Sequence, residues 1–108
     1  MPTYLLQASY TADGVKGLIK DSASGRRAAV KSIVKGVGGK LECMYYCFGK
    51  SDVLVIMDLP DNVAAASLAA AVGSSGLVKA TTTPLITVEE MDKALSKKIK
   101  YRGPGSGK

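Results

Sequence analysis

Residues 53–62 read VLVIMDLPDN and decide the fold class. The run from Val53 to Leu59 is apolar and rich in β-branched residues, which predicts a strand. Pro60, Asp61 and Asn62 follow at once, and a proline next to an aspartate that can cap predicts the start of a helix. A strand that leads directly into a helix indicates a fold of mixed α and β elements.

The same signals predict the other elements. Strands are predicted at residues 3–10, 40–48 and 77–87, the last interrupted near Pro84. Residues 15–19 predict a short helical turn and residues 21–25 an interruption. Helices are predicted from Arg26 to the glycines at 36, 38 and 39, at residues 63–72, and from a capping box at 87–90 through about Tyr101.

The order β-α-β-β-α-β plus a terminal helix predicts a ferredoxin-like α+β fold. Such a fold has a four-stranded antiparallel sheet with helices on one face. Residues 1–92 are predicted to form this domain, and residues 93–108 a basic helix end with a flexible tail from Gly103 to Gly107.

The net charge of +6 belongs mostly to the C-terminal end. Residues 92–108 hold six basic residues and one acidic residue, whereas residues 1–91 hold nine basic and eight acidic residues. A basic tail on a nearly neutral body is expected to hold polyanions only weakly. No apolar run is long enough to span a membrane, so no membrane partner is expected.

The N-terminus and the cysteines indicate a cytoplasmic protein. The first residues lack the basic region of a signal peptide, so Cys43 and Cys47 are expected to be core thiols. Their spacing is not a CxxC motif, and on one strand they would lie too far apart for a disulfide. The chain has no histidine, so neither a metal site nor any other cofactor is predicted.

The third strand is apolar on both faces, because Val53, Val55 and Met57 alternate with Leu54 and Ile56. Helices on one side of the sheet cover only one of these faces. A second copy of the chain, laid sheet to sheet, is the predicted cover, and a terminal helix folded over the same chain is the alternative. The uncovered face also suits a small hydrophobic ligand. Its predicted interface or ligand-binding residues are Gln7, Ser9, Tyr46, Asp58, Lys79 and Thr81, and Tyr10 is a further candidate.

Catalytic signals are sparse. Ser9 and Ser51 have no histidine as general base. Pro2, if exposed by removal of Met1, would be an N-terminal secondary amine able to act as a base, with Arg26 or Arg27 holding an acidic substrate.

Several stretches together resemble the GYD-domain family: residues 2–6, 9–11 and 14–18, the helix start at 26–30, residues 38–42, Phe48-Gly49 with Asp52-Val53, and residues 58–62 and 81–85. The resemblance covers roughly residues 2–92. It implies a dimeric α/β barrel of unassigned function, in a wider group that includes cofactor-independent monooxygenases, isomerases and ligand-sensing domains. Of the family's signature turn, Gly49 and Asp52 are present, whereas Ser51 stands where the family has tyrosine.

The sequence therefore predicts a homo-oligomeric domain, a dimer or larger, that binds a small molecule or another protein surface. The alternative is a cofactor-independent enzyme, of monooxygenase or tautomerase type, acting on a small hydrophobic or enolisable substrate. Its catalytic residues are not identified by the sequence.

Overall fold

The centre of the fold is the antiparallel pair of β1 (Thr3–Tyr10) and β3 (Val53–Asp58). The computed structural model, which describes residues 1–105, adds β2 (Lys40–Tyr46) beside β3 and β4 (Val78–Leu85) beside β1. The strand order is β2-β3-β1-β4, and all neighbouring strands are antiparallel. The predicted four-stranded sheet, with the first and third strands at its centre, is confirmed.

Three helices occur among the described residues: α1 (Ala12–Gly36), α2 (Asn62–Ser74) and α3 (Val88–Ser96). Each begins at a residue whose side-chain oxygen accepts a hydrogen bond from a backbone N–H of the first turn. Thr11 accepts from Gly14, Asp61 accepts from Ala64, and Thr87 and Glu90 form a reciprocal capping box. The element order and both predicted caps, at Asp61 and Thr87, are therefore confirmed.

The core lies between the sheet and the first two helices. α1 packs on β1 and β2, and α2 packs on β4. Alternate residues of β1 and β3 point into this layer because the side-chain period of a strand is two. The buried side chains of this core are Tyr4, Ala8, Val34, Val53, Val55, Met57, Leu59, Ala65 and Leu68.

α1 is broken at one residue. Ser22 has φ 71° and ψ 163°, a conformation that is ordinarily occupied by glycine. Its hydroxyl then accepts a hydrogen bond from the Gly25 N–H at 3.1 Å, which caps the second half of the helix. The predicted interruption at residues 21–25 is confirmed, but the predicted short turn before it is a longer helix that starts at Ala12.

Two predictions near the C-terminus are wrong in detail. β4 runs unbroken through Pro84, because an edge strand pairs on one side only and tolerates a proline that donates no hydrogen bond. α3 ends at Ser96 rather than near Tyr101. Lysines at positions 93, 97 and 100 fall three and four residues apart, and such like-charged pairs destabilise a helix.

The segment from Ile86 to Arg102, here called the C-terminal arm, is exposed at every one of its residues and contributes no side chain to the core. The described chain has a radius of gyration of 17.5 Å, well above the roughly 13 Å of a compact chain of this size. α3 therefore does not fold across its own sheet, and that alternative is wrong for the single chain. The change from packed to exposed comes at Ile86, and the domain range of residues 1–92 stays a prediction.

Among residues 1–105, no helix combines the length and the apolar character that crossing a membrane requires. The predicted flexible end from Gly103 to Gly107 lies partly outside the described residues.

A close backbone approach fixes the start of α1. The Thr11 N–H donates to the Leu77 carbonyl at 2.9 Å, and this carbonyl lies directly over the Cα of Gly14. A methyl group on Gly14 would overlap the carbonyl oxygen, so Gly14→Ala should lower the free energy of unfolding by about 1–3 kcal/mol. The matched control is Gly17→Ala in the same helix, where the added methyl meets nothing within 4 Å. Urea denaturation measures both variants, and equal stability of the two would contradict the packing at Gly14.

Candidate functional site

The uncovered face of the sheet, called here the open face, is divided into an apolar and a polar side. The strand register shows which residues share this face. For example, Cys43, Ile56, Leu5 and Thr83 are neighbours across the four strands. The apolar side lies over β2, β3 and part of β1, with Cys43, Tyr45, Leu54, Ile56 and Leu5. The predicted residues Gln7, Ser9, Lys79 and Thr81 share this face and form its polar side, over β1 and β4.

Asp58 lies at one end of the open face. The Thr3 hydroxyl donates to its Oδ1 at 2.7 Å, and Lys40 stands opposite it on β2. Lys79 is paired with Ser9, six residues further along β1 and so about 20 Å away. The two charged residues therefore do not pair within one chain, as the topology predicted.

Tyr46 is not on the open face, contrary to the sequence prediction. A register shift between Leu41 and Cys43 reverses the alternation of β2. Tyr46 pairs with Val53 and so shares the helix-covered face, whereas Cys43 and Tyr45, predicted to point towards the helices, lie on the open face. A one-residue irregularity of this kind moves every later side chain to the other side of the strand.

The register shift brings Tyr46 to Tyr10, at the edge of the layer between sheet and helices. The two hydroxyl oxygens lie 3.4 Å apart, within reach of a hydrogen bond. Arg26, at the start of the second half of α1, is half-buried beside Tyr10 and contacts Asp21 at 3.7 Å across the break at Ser22. Tyr10, Tyr46 and Arg26 together form what we call the tyrosine cleft.

Two neighbouring hollows open at this cleft. One, of about 70 Å³, is walled almost entirely by core side chains such as Leu6, Val30 and Met44. The other, of about 280 Å³, lies against the first half of α1 and is lined by Leu18 and Leu77. Both are bordered by Tyr10, Arg26, Val72 and Val78, so apolar walls meet polar groups at a single place.

Asp52 of the signature turn holds β1 in position for this cleft. Its carboxylate accepts a hydrogen bond from the Tyr10 N–H at 2.8 Å, and its own N–H donates to the Ala8 carbonyl at 2.8 Å. The Asp52 carbonyl in turn accepts from the Cys47 N–H at 2.8 Å. The turn that contains Gly49 and Asp52 therefore fixes the end of β1 from which Tyr10 projects.

The family model of the GYD domain matches residues 4–95. The chain belongs to the GYD-domain family. Comparison with curated proteins and with solved structures found no match. In this GYD domain Ser51 stands where the resemblance implies a tyrosine. Ser51 contributes to the turn through its backbone, because its carbonyl accepts a hydrogen bond from the Cys47 thiol at 3.0 Å. The contacts of Asp52 do not involve the replaced side chain.

The phenol of Tyr46 is held in its neutral form. The side chain of Tyr46 is 37% exposed; the part that is buried raises its pKa above the ordinary value, the hydrogen bond with Tyr10 raises it further, and the nearby positive charge of Arg26 opposes the shift. The Tyr46 hydroxyl is therefore a hydrogen-bond donor over the whole physiological pH range.

The site considered for Pro2 as base, with Arg26 or Arg27 holding the substrate, is not assembled around Arg26 in one chain. The Pro2 carbonyl accepts from the Leu59 N–H at the start of β1, whereas Arg26 lies beside Tyr10 at the other end of that strand. The eight residues of β1 separate the two by about 25 Å. Pro2 therefore cannot share a site with Arg26 in one chain.

The described part of this GYD domain holds no group of three or more metal-ligating side chains from histidine, cysteine, aspartate or glutamate. Cys43 and Cys47 are free thiols. The sequence suggested the individual residues Tyr10, Tyr46 and Arg26, but no pattern joined them. Only the register shift in β2 and the break in α1 bring them together.

The raised pKa of Tyr46 predicts a loss of stability at alkaline pH. The unfolded chain ionises this phenol near its ordinary value of 10.0, while the folded domain keeps the proton. The stabilisation is thus complete below pH 10 and is lost as the pH rises towards the folded-state pKa. Tyr46→Phe should therefore lose less unfolding free energy than the wild type between about pH 9.5 and 11, as measured by urea denaturation. Tyr45→Phe, on the open face, is the control, and wild-type behaviour of Tyr46→Phe would contradict the raised pKa of Tyr46.

Proposed function

We propose that this GYD domain is a homodimeric binding domain for a small, mostly apolar molecule that carries one carboxylate or enolate oxygen. The ligand occupies the tyrosine cleft. The observation that carries the proposal is that Tyr10 and Arg26 border both apolar hollows, with the Tyr46 hydroxyl 3.4 Å from that of Tyr10. This combination of apolar walls with a few converging polar groups is typical of small-molecule sites.

The size of the cleft limits the ligand. The larger hollow of about 280 Å³ lies just below the roughly 300–1,000 Å³ range of ligand pockets. The smaller hollow extends it towards the core with side chains that offer no hydrogen bonds, such as Val30 and Val55. A molecule with one aromatic or short aliphatic body fits this space, with its polar end at the cleft mouth.

The chemistry of the cleft favours an anionic oxygen. Arg26 presents a planar guanidinium that can hold a carboxylate through two hydrogen bonds, and a neutral Tyr46 phenol donates a third. The present partner of Arg26, Asp21, is 3.7 Å away and half-exposed, which makes a weak ion pair. A ligand carboxylate would therefore replace a weak contact rather than a strong one.

The open face supports the dimer. Leu5, Leu54 and Ile56 lie on it, and no helix of the described chain packs over them. A second copy laid sheet to sheet would remove this apolar surface from water, which contributes roughly 25 cal/mol per Å². The arrangement is the dimeric α/β barrel that family resemblance implies.

A cofactor-independent enzyme is the second candidate. A neutral phenol beside a guanidinium could stabilise the negative oxygen of an enolate, and the Asp21 carboxylate borders the same hollow as a base. The ketonisation of enol-phenylpyruvate, followed by ultraviolet absorbance, tests this reading. A rate that depends on Asp21 and Tyr46 would favour the enzyme over the binding domain.

Naphthalene-2-carboxylate is a suitable probe of the cleft because its fluorescence reports binding. Arg26→Gln should weaken its binding at least about tenfold, since a charged hydrogen-bonded pair is worth about 1.5–3 kcal/mol. Lys20→Gln on the same helix, outside both hollows, is the matched control and should bind as the wild type does. Equal affinity of wild type and Arg26→Gln, or no binding by the wild type at millimolar probe, would contradict the proposed site.

Substitution of Ile56 tests the dimer separately. Ile56→Lys places a charge on the apolar side of the open face and should shift the protein from dimer towards monomer in light scattering at micromolar concentration. Ser67→Lys, which adds the same charge on the exposed surface of α2, should leave the dimer intact. A folded wild-type monomer would contradict the dimer without affecting the cleft.

A further inference from the structure

The two edges of the sheet differ in how they are protected. β2 and β4 are the outer strands of the order β2-β3-β1-β4, and each pairs on one side only. β4 contains Lys79 and Pro84, residue types that discourage the addition of a further strand. β2 begins with the register shift and the charged residues Lys40 and Glu42, but residues 43–46 continue as a regular, uncharged strand. This half of β2 is open to another strand.

The backbone of β2 offers hydrogen-bonding groups along that edge. The Cys47 N–H donates to the Asp52 carbonyl at 2.8 Å, which extends the ladder between β2 and β3 by one pair. Because bonded and non-bonded pairs alternate in an antiparallel ladder, the residues two and four positions before Cys47 also bond to β3. The N–H and C=O groups of Met44 and Tyr46 therefore point away from the sheet.

A groove runs beside this edge, between β2 and α1. The β2 groove, as we call it, has a volume of about 580 Å³ and is lined by more polar than apolar surface. Its α1 wall includes Ser24, Arg27 and Lys31. A hollow of about 120 Å³, which shares Ser24, Arg27 and Met44 with the groove, continues to Tyr46. Extended peptides bind to exposed sheet edges as added strands, and the β2 groove leaves room for one.

The β2 groove follows the edge of the strand rather than one face of the sheet. Met44, which faces the helices, and Cys43 and Tyr45, which lie on the open face, all line it. The side chains of an added strand would alternate between the two faces in the same way. Those on the helix side would approach Arg27 and Lys31, and those on the other side would lie beside the exposed ring of Tyr45. The two sides of such a peptide therefore need different chemistry.

The charge of the groove favours an acidic peptide. α1 carries six basic and two acidic residues. Arg27 and Lys31 are exposed, lie about one helical turn apart, and form no ion pair with the described part of the chain. Glu42, the acidic residue of the lining, is already paired with Lys40 at 3.4 Å. Two free cations thus border the helix side of the groove, where a carboxylate of a bound peptide would pair with them.

Segments of this protein itself fit the groove poorly. The C-terminal arm holds five basic and three acidic residues, so its net charge has the same sign as that of the groove. Pairing of two β2 edges from two copies would bring two basic α1 helices side by side. Like charges in such a contact oppose binding. A segment of a different, acidic protein has the complementary charge.

We propose that the edge of β2 binds an extended acidic segment of a partner protein as a fifth strand, with carboxylates at alternate positions facing Arg27 and Lys31. Backbone hydrogen bonds to Met44 and Tyr46 supply affinity, and the basic wall selects the sequence. Strand addition uses the edge, in the plane of the sheet, whereas the proposed dimer covers the open face and the proposed small ligand lies in the tyrosine cleft. The inference therefore stands apart from both.

A fluorescein-labelled peptide of seven residues that alternates glutamate and valine tests the strand addition by fluorescence anisotropy. Two N-methylated versions keep its side chains and charge, one methylated on the glutamates and the other on the valines. In an added strand only one of these two sets of N–H groups faces β2. One version should therefore bind at least about tenfold more weakly than the other. Equal binding of the two versions, or no binding of the parent peptide, would overturn the proposal.

Substitution of the basic wall tests the charge. Arg27→Gln with Lys31→Gln removes both free cations of the groove and should weaken binding of the parent peptide about fivefold. Lys16→Gln with Lys20→Gln is the matched control, because these residues have the same spacing on the same helix and lie outside the β2 groove. A loss of the same size in both variants would show attraction to net charge alone, and the proposal would be wrong.

Amide hydrogen exchange, followed by NMR, locates the peptide on the protein. The N–H groups of Met44 and Tyr46 should exchange rapidly in the free protein and at least about tenfold more slowly with the peptide bound. Those of Cys43 and Tyr45, already bonded to β3, are the internal control and should be protected in both states. Slow exchange at Met44 and Tyr46 in the free protein would mean that a second copy already covers the edge, and the strand addition would be wrong.

Discussion

The register of β1 on β3 is the constraint on which the rest of the structure depends. It sets Tyr4 opposite Met57 and Ala8 opposite Val53 on the buried side, and by the same alternation it sets Leu5 opposite Ile56 on the other. A shift by one residue would exchange the two faces. Because β3 is apolar on both sides, the register that builds the core also places Leu54 and Ile56, with Leu5 of β1, on the open face.

The signature turn connects that central pair to the tyrosine cleft. Asp52 binds the backbone of β1 at Tyr10 and Ala8, so it fixes the end of the strand rather than presenting a reactive group. A carboxylate that accepts a backbone N–H makes a strong, charge-assisted hydrogen bond. The substitution of Ser51 for the family's tyrosine leaves this contact intact, because the contact uses only the aspartate and the strand.

One-sided helix packing explains why three surfaces remain uncovered within a single chain. α1 and α2 cover one face of the sheet, and α3 covers neither. The chain therefore presents an apolar sheet face, an open strand edge at β2 and an amphipathic arm at the same time. Burying apolar surface is the main favourable term in association, so these features are consistent with the proposed assembly of identical copies.

The sequence by itself determined the element order, the central strands and the two-sided apolar character of β3, because these depend on local apolar patterns such as the period of two in a strand. It also determined the helix caps at Asp61 and Thr87, because each is a short local motif. Only the tertiary structure decided which face Tyr46 occupies, since a register shift in β2 depends on its pairing with β3. It also decided that Tyr10, Tyr46 and Arg26 meet, because they come from three separate elements. The exposed position of the arm likewise follows from packing: its capping box predicts a helix but contains no information about what that helix contacts.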